Sequence, residues 1–388
     1  MELATSLERL GTETAFEVLA RAKKLEAQGR SIIHLEIGEP DAATPAHIVE
    51  AGVRALRDGY THYCPSAGLP ELREACAQYM GALRGVEIGA ENVLIAPGAK
   101  PFIFFGILAT CDPGDEVIYP DPGFPIYESV IRWAGAVPVP LTLTEESGFG
   151  FTKEELSARL TSRTKLVIIN SPGNPTGGVL EAGELDAVAE VLQGHPCWIL
   201  SDEVYSELLH EGSHETLVSR PGFLERTILM ESFSKTFAMT GWRLGYAALP
   251  TALVEPITRL LVNSVSCTPP ATQLAGIAAL TGPRSELEQM QQTFRHRRDV
   301  LVQGLNQLPG VRCAIPQGAF YAFPNVADTG IDADLLAREL LEEAGVALLS
   351  GSAFGQGGRD HWRLSYATSM ENLEAALELM DTYLSRRI

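Results

Sequence analysis

The sequence predicts an α/β protein: a large domain on a mostly parallel, seven-stranded sheet, joined to a smaller α+β domain. Two observations carry this. Between residues 46 and 280, short apolar runs alternate with helical patterns, the order that yields a parallel sheet covered by helices. After Gly282 the texture changes to one long helical stretch and then a few short β-like runs.

Taken in order, the N-terminal 45 residues have no sheet partner of their own nearby. They are expected to pack as an arm on the smaller domain or on a second subunit. The seven runs are "NVLIAP" (92–97), "DEVIYP" (115–120), "VPVPL" (137–141), "KLVIIN" (165–170), "CWILS" (197–201), "TILME" (227–231) and "LGYAAL" (244–249). They are continuously apolar rather than alternating, as strands buried on both faces are. Helical patterns such as "LPELREACAQYMGAL" (69–83) and "TKEELSARL" (152–160) lie between most of them. The last run follows its predecessor too closely for a long crossover helix, which leaves an antiparallel return open to it. Beyond, a helix over about 284–308 leads to "GVRCAI", "GAFYAF" and "HWRLSYA", with a helix "DADLLARELLEEAG" inserted. The boundaries read from this are 46–280 for the large domain, and 1–45 with 281–388 for the small one.

Composition narrows the class. A formal charge of −19 argues against a nucleic-acid or anionic-membrane partner, either of which wants a basic surface. The six cysteines are scattered and never at CxxC spacing, a pattern of reduced thiols in a cytoplasmic protein. "MELATSLERLGTETAF" lacks the apolar core of a signal peptide, and "PFIFFGILATC" is too short to span a bilayer.

Ligands of an open α/β sheet bind beyond the carboxyl ends of its strands. Three polar groups fall there: Asn174 in "SPGNPTGG" after "KLVIIN", Asp202 in "SDEVY" after "CWILS", and Ser232 with Lys235 after "TILME". Separately they read as a turn former, a helix cap and a surface charge. Lys235 is one of six lysines against 24 arginines, set in "SFSKTFAMTGWR" among hydroxyls, aromatics and small residues. Burial there lowers an amine's pKa and leaves a nucleophile suited to Schiff-base chemistry. Arg243, eight residues on, has the planar fork for a phosphate.

The motifs "IGEPD" (37–41), "YTHYCPSAGLPELRE" (60–74), "PGAK" (97–100), "DPGFPIYE" (121–128), "NSPGNPTG" (170–177), "SDEVY" (201–205), "SFSKTFAMTGWRLGY" (232–246) and "WRLSYA" (362–367) span nearly the whole chain. In this order they resemble the class I/II aminotransferases, fold-type I pyridoxal-phosphate enzymes, and within them the bacterial aspartate aminotransferase subgroup. The resemblance implies a role for each matching residue. Lys235 would carry the cofactor as a Schiff base and move the substrate proton. Asp202 would face the pyridine nitrogen, and Tyr205 and Asn174 the phenolic oxygen. Phe124 would stack on the ring. The amides of Ala99 and Lys100, with Ser232 and Arg243, would hold the phosphate. Tyr63 would reach the phosphate of a second subunit, which implies a homodimer with shared active sites. Arg363 and Gly38, with Asn174 and Phe124, would hold the substrate, Arg363 by its α-carboxylate. The implied activity is ping-pong transfer of an amino group from an L-amino acid to a 2-oxo acid, 2-oxoglutarate by family analogy.

Donor choice stays open among aspartate, aromatic, alanine and broad use. Some bacterial relatives carry a lysine eight residues beyond the one in the "GAK"-like turn, and that position is Leu108 here. A β-lyase on the same fold shares the first steps. From a different class, "HEGSH" (210–214) satisfies the HExxH pattern of zinc peptidases. Gly212 and Ser213 fall inside it, the glycine costing about 1 kcal/mol in a helix relative to alanine, so a solvated turn is expected instead, and no metal.

Overall fold

The computed structural model describes residues 3–388. Twelve strands form three sheets: β1 (Ile33–His34), β2 (Val93–Ala96), β3 (Glu116–Asp121), β4 (Val137–Thr142), β5 (Thr164–Asn170), β6 (Trp198–Asp202), β7 (Thr227–Ser232), β8 (Gly245–Ala248), β9 (Tyr321–Ala322), β10 (Val346–Ala347), β11 (Leu349–Ser350) and β12 (Trp362–Ser365). The main sheet runs β2-β8-β7-β6-β5-β3-β4, and all seven apolar runs of the sequence supply its strands. Every pairing is parallel except those of β8, which runs against both β2 and β7. The short link before β8 leaves no other choice.

The strands are apolar on both faces because helices cover both. Along β2, Leu94 and Ala96 pack with Phe102 and Ile103, while Val93 and Ile95 pack with Ile48 and Leu72 on the opposite side. In the middle of the sheet, Ile168 and Leu200 join the first of these cores. Ile169 and Ile199 instead face Leu185 and Leu192. Each such buried side chain contributes roughly 1.5–3 kcal/mol. The strand β4 is the exception and lies at the edge, paired to β3 alone. Its Pro138 and Pro140 alternate, so the missing N–H groups fall on one side of the strand, an arrangement that an edge tolerates.

The first four helices are α1 (Thr14–Ala27), α2 (Ala46–Arg57), α3 (Pro70–Arg84) and α4 (Lys100–Thr110). Downstream of the main sheet, the long helix Ser285–Leu305 and the last helix Met370–Arg387 enclose a separate core with β9 and β12. There β11, β12 and β9 form an antiparallel sheet. "GVRCAI" does not form the expected strand: only Arg312 bridges to Asn325. The N-terminal segment packs on this C-terminal part, with β1 parallel to β10 and Ala22 of α1 against Leu341 and Ala347. Among the described residues no helix is long and apolar enough to cross a membrane.

Candidate active site

The carboxyl ends of β5, β6 and β7 lie side by side, which brings Asn170, Asp202 and Ser232 to one rim of the sheet. Asp202 is buried, 4% exposed. Its Oδ2 accepts a hydrogen bond from Tyr127 Oη at 2.6 Å. Burial pushes its carboxyl up to about 7, only partly offset by that hydrogen bond. An acid so placed is complementary to a cation, and none of its own is in contact.

Lys235 lies in the one-turn helix Phe233–Thr236, which starts where β7 ends and is capped by Ser232 Oγ accepting from Ser234 N at 3.1 Å. Its Nζ donates to the Gly38 carbonyl at 2.5 Å and sits 5.8 Å from the Phe320 ring centre. Burial, reinforced by the positive charge of Arg363, brings its pKa down to about 8. Tyr205 is buried, its hydroxyl 2.7 Å from that of Tyr321. Tyr321 in turn presses on Gly38, where an added Cβ would strike the tyrosine hydroxyl. The motif "IGEPD" thus needs its glycine for close approach.

A candidate anion pocket is laid out where the turn into α4 meets Arg243. Gly98 turns the chain at φ +88° into α4, whose first amides have no helical acceptors. A side chain at Gly98 would fill the space taken by Arg243 Nη2. Arg243 is itself exposed and held at φ +55°. Ala99 and Lys100 form the cap and first residue of α4.

Arg363, on β12, is 4% exposed. Its Nη2 donates to the Glu36 carbonyl at 2.5 Å and its Nη1 to Asn174 Oδ1 at 3.2 Å. Tyr321 and Phe354 flank the guanidinium at 4.5 and 4.9 Å from their ring centres. Its buried Nε has no partner in the protein, an unmet donor that a carboxylate would satisfy. A small cleft opens beside it, lined by Glu13, Ala15, Phe124, Leu349 and Phe354 among others.

Of the expected site residues, Lys235, Gly38, Arg363 and Asn174 are linked by direct contacts or through Tyr321. Phe124 lines the cleft. Tyr63 is not brought into it: at 89% exposed it projects from the chain. Leu108 does not line the cleft either. It lies eight residues down α4 from Lys100, about 12 Å at 1.5 Å per residue. Sequence reasoning missed Tyr127, Tyr321 and Glu13. "DPGFPIYE" and "GAFYAF" contain the two tyrosines, yet nothing local marks them.

Behind the rim lies a buried charge cluster. Arg84, from the last turn of α3, donates through Nε to Glu203 at 2.8 Å and through Nη2 to Glu231. Glu203 follows Asp202 and Glu231 precedes Ser232, so one guanidinium ties together the ends of β6 and β7. The "HEGSH" stretch belongs to this interior and is not a solvated turn at its histidines. Its bends are not helical, but His214 Nε2 pairs with Glu203 at 2.6 Å and His210 Nε2 with Tyr366 Oη at 2.7 Å. Glu211 points away and is 80% exposed. The two histidines serve different partners, and no group of three metal-ligating side chains occurs among the described residues.

The residues present fit pyridoxal phosphate: a buried acid with no cation in contact suits a pyridine nitrogen, a buried lysine with a lowered pKa suits a Schiff base, and a helix N-terminus opened by a glycine beside an arginine suits a phosphate.

Comparison with known proteins agrees. The family described as aminotransferase class I and II matches residues 30–379. An aspartate aminotransferase of Geobacillus stearothermophilus is 39% identical over 394 residues, covering 100% of both chains. Aromatic-amino-acid aminotransferase 2 of Thermococcus litoralis is 39% identical over 366 residues, 93% of this chain and 94% of its own. The crystal structure of the aspartate aminotransferase from Rhizobium meliloti superposes with a TM-score of 0.94 at 34% identity, covering 100% of this chain and 99% of that one. A family match over most of its length and 39% identity to a relative over its full length show that the chain belongs to the class I and II aminotransferases.

Proposed function

We propose that this aminotransferase moves an amino group from an L-amino acid to 2-oxoglutarate, with pyridoxal phosphate held at Lys235, in two half-reactions that share one site. The observation that carries this reading is the meeting of Lys235, Gly38, Tyr321 and Arg363 through direct contacts. When bound, the cofactor supplies an electron sink and a carrier for the amino group.

The chain's own residues do the rest. Arg363 offers its free Nε and an Nη to the substrate α-carboxylate, and the Tyr321 and Phe354 rings keep the fork in one plane. That grip fixes which bond at Cα faces Lys235. Lys235, freed from the Gly38 carbonyl as a neutral amine, would take the substrate Cα proton and hold it for return to the product. Asp202 would hold the pyridine nitrogen in its protonated form, with Tyr127 fixing the carboxyl's orientation. Tyr205 and Asn174 would serve the phenolic oxygen. The amides of Ala99 and Lys100, Ser232 and Arg243 would hold the phosphate, and Phe124 would cover the ring.

In this reading residues 46–280 form the cofactor-binding body, and residues 1–45 with 281–388 a smaller body that contributes Gly38 and Arg363. The protein works in the cytoplasm as a homodimer, Tyr63 reaching the partner's phosphate. Its 89% exposure in the single chain supports that assignment.

Steady-state rates with a donor amino acid and 2-oxoglutarate test the reaction class. Parallel double-reciprocal lines and one glutamate per oxo acid are expected. Ammonia released without need of an acceptor would make the protein a lyase instead.

A further inference from the structure

Arg363 provides for one carboxylate of a substrate. A dicarboxylic substrate needs a second cation, and Lys100 touches two residues that line the cleft beside Arg363. Its Nζ bonds Glu13 Oε2 at 2.7 Å and lies 5.3 Å from the ring centre of Phe124. Only its backbone amide is assigned to the phosphate, so the ammonium is engaged elsewhere, by Glu13. That glutamate stands immediately before α1, beside Thr14 and Ala15, which also line the cleft.

We infer that Glu13 is a specificity-determining residue, which competes for Lys100 with the second carboxylate of a dicarboxylic substrate and so biases the cleft toward neutral, apolar side chains. The inference rests on the aminotransferase reading and on Arg363 as the α-carboxylate grip. A dicarboxylate entering the cleft meets either a lysine already paired or two carboxylates around one ammonium, and both cost binding. An apolar side chain leaves the pair in place and is covered by Ala15, Phe124, Leu349 and Phe354. The pair is partly exposed, at 42% for Lys100 and 24% for Glu13, so the bias is finite and a dicarboxylate acceptor still enters. Residues 13 and 100 are joined only by the fold, and although Lys100 closes the "PGAK" motif, no motif announces Glu13.

The test uses the cofactor-loaded protein and maleate, a dicarboxylate with no amino group to transfer. Calorimetric titration of Glu13→Gln should give a maleate Kd about fivefold tighter than wild type. Adding Lys100→Met should remove that gain. In parallel, the ratio of kcat/KM for aspartate over phenylalanine should rise about fivefold in Glu13→Gln. Were Glu13 only a tether for the N-terminal segment, its loss would weaken maleate and slow both donors alike. An unmoved or weaker maleate Kd, an unmoved ratio, or a gain that survives Lys100→Met overturns the inference. The underlying reading fails separately: wild type releasing no oxo acid from any amino acid would remove the proposed amino-transfer activity.

Discussion

At the scale of single residues, two side chains are held away from their ordinary ionisation, in directions that suit their roles. Lys235 titrates at about 8, lowered chiefly by burial. The neutral amine is the nucleophile, so capture of pyridoxal phosphate by cofactor-free protein should slow about tenfold per pH unit below 8 and level off above it. Stopped-flow absorbance across pH 6 to about 10 checks this. Asp202 is raised from 3.8 to about 7, so in cofactor-free protein it is protonated where the unfolded chain is not. Its contribution to stability is therefore fully present below pH 3.8 and lost as pH rises through 7. Denaturation of cofactor-free wild type and Asp202→Asn should diverge over that window, by roughly 4 kcal/mol at most. A constant difference from pH 4 to 7 would show that the carboxyl does not titrate there. Lys235, Asp202, Asn174 and Arg363 were legible in the sequence because each sits inside a run of diagnostic neighbours. Tyr127 and Tyr321 were not, because their partners lie 75 and 116 residues away. Glu13 escaped for the same reason, 87 residues from Lys100.

At the scale of elements, the site depends on strand ends kept in register. Arg84 does this from α3, and its side chain is buried against two carboxylates. Burial alone would raise Glu203, but Arg84 and His214 outweigh it and hold its carboxyl down at about 2. Arg84→Met leaves two buried carboxylates without their cation and should cost about 3–5 kcal/mol, read by chemical denaturation. A loss below about 1 kcal/mol would mean that the cluster relaxes without it. The N-terminus of α4 makes the opposite demand, for emptiness. Gly98→Ala places a methyl against Arg243 at a positive φ, so cofactor retention on dialysis should fall tenfold or more, by roughly 1.4 kcal/mol. The main-sheet strands were readable because burial on both faces writes an unbroken apolar run. In the small sheets, "GAFYAF" and "HWRLSYA" supply β9 and β12 as read, whereas the two-residue strands β1, β10 and β11 leave too little pattern. "GVRCAI" has the composition of a strand but a single bridge. "HEGSH" has the spacing of a metal site, but its residues point to different partners.

For the whole molecule, the two halves of the proposed chemistry come from different parts of the chain, Lys235 from the main sheet and Arg363 from the C-terminal sheet. The exposed Tyr60, Tyr63, Val262 and Val265 form a further feature of this scale. Their segments meet where Cys64 Sγ lies 3.4 Å from the Thr268 carbonyl. A second copy covering them is the homodimer inferred from Tyr63, and sedimentation at twice 41.9 kDa is the expected result. A monomer at micromolar concentration would remove Tyr63 from the site. The central claim, that Lys235 carries the amino-transfer chemistry, is tested most directly by one spectrum. Wild-type protein loaded with pyridoxal phosphate is mixed with a single amino acid and no oxo acid. The yellow absorbance should bleach once, with one oxo acid released per site, and Lys235→Ala should show neither the lysine-bound colour nor the release. Bleaching and stoichiometric release that persist in Lys235→Ala, or their absence from wild type with every amino acid, would contradict the account.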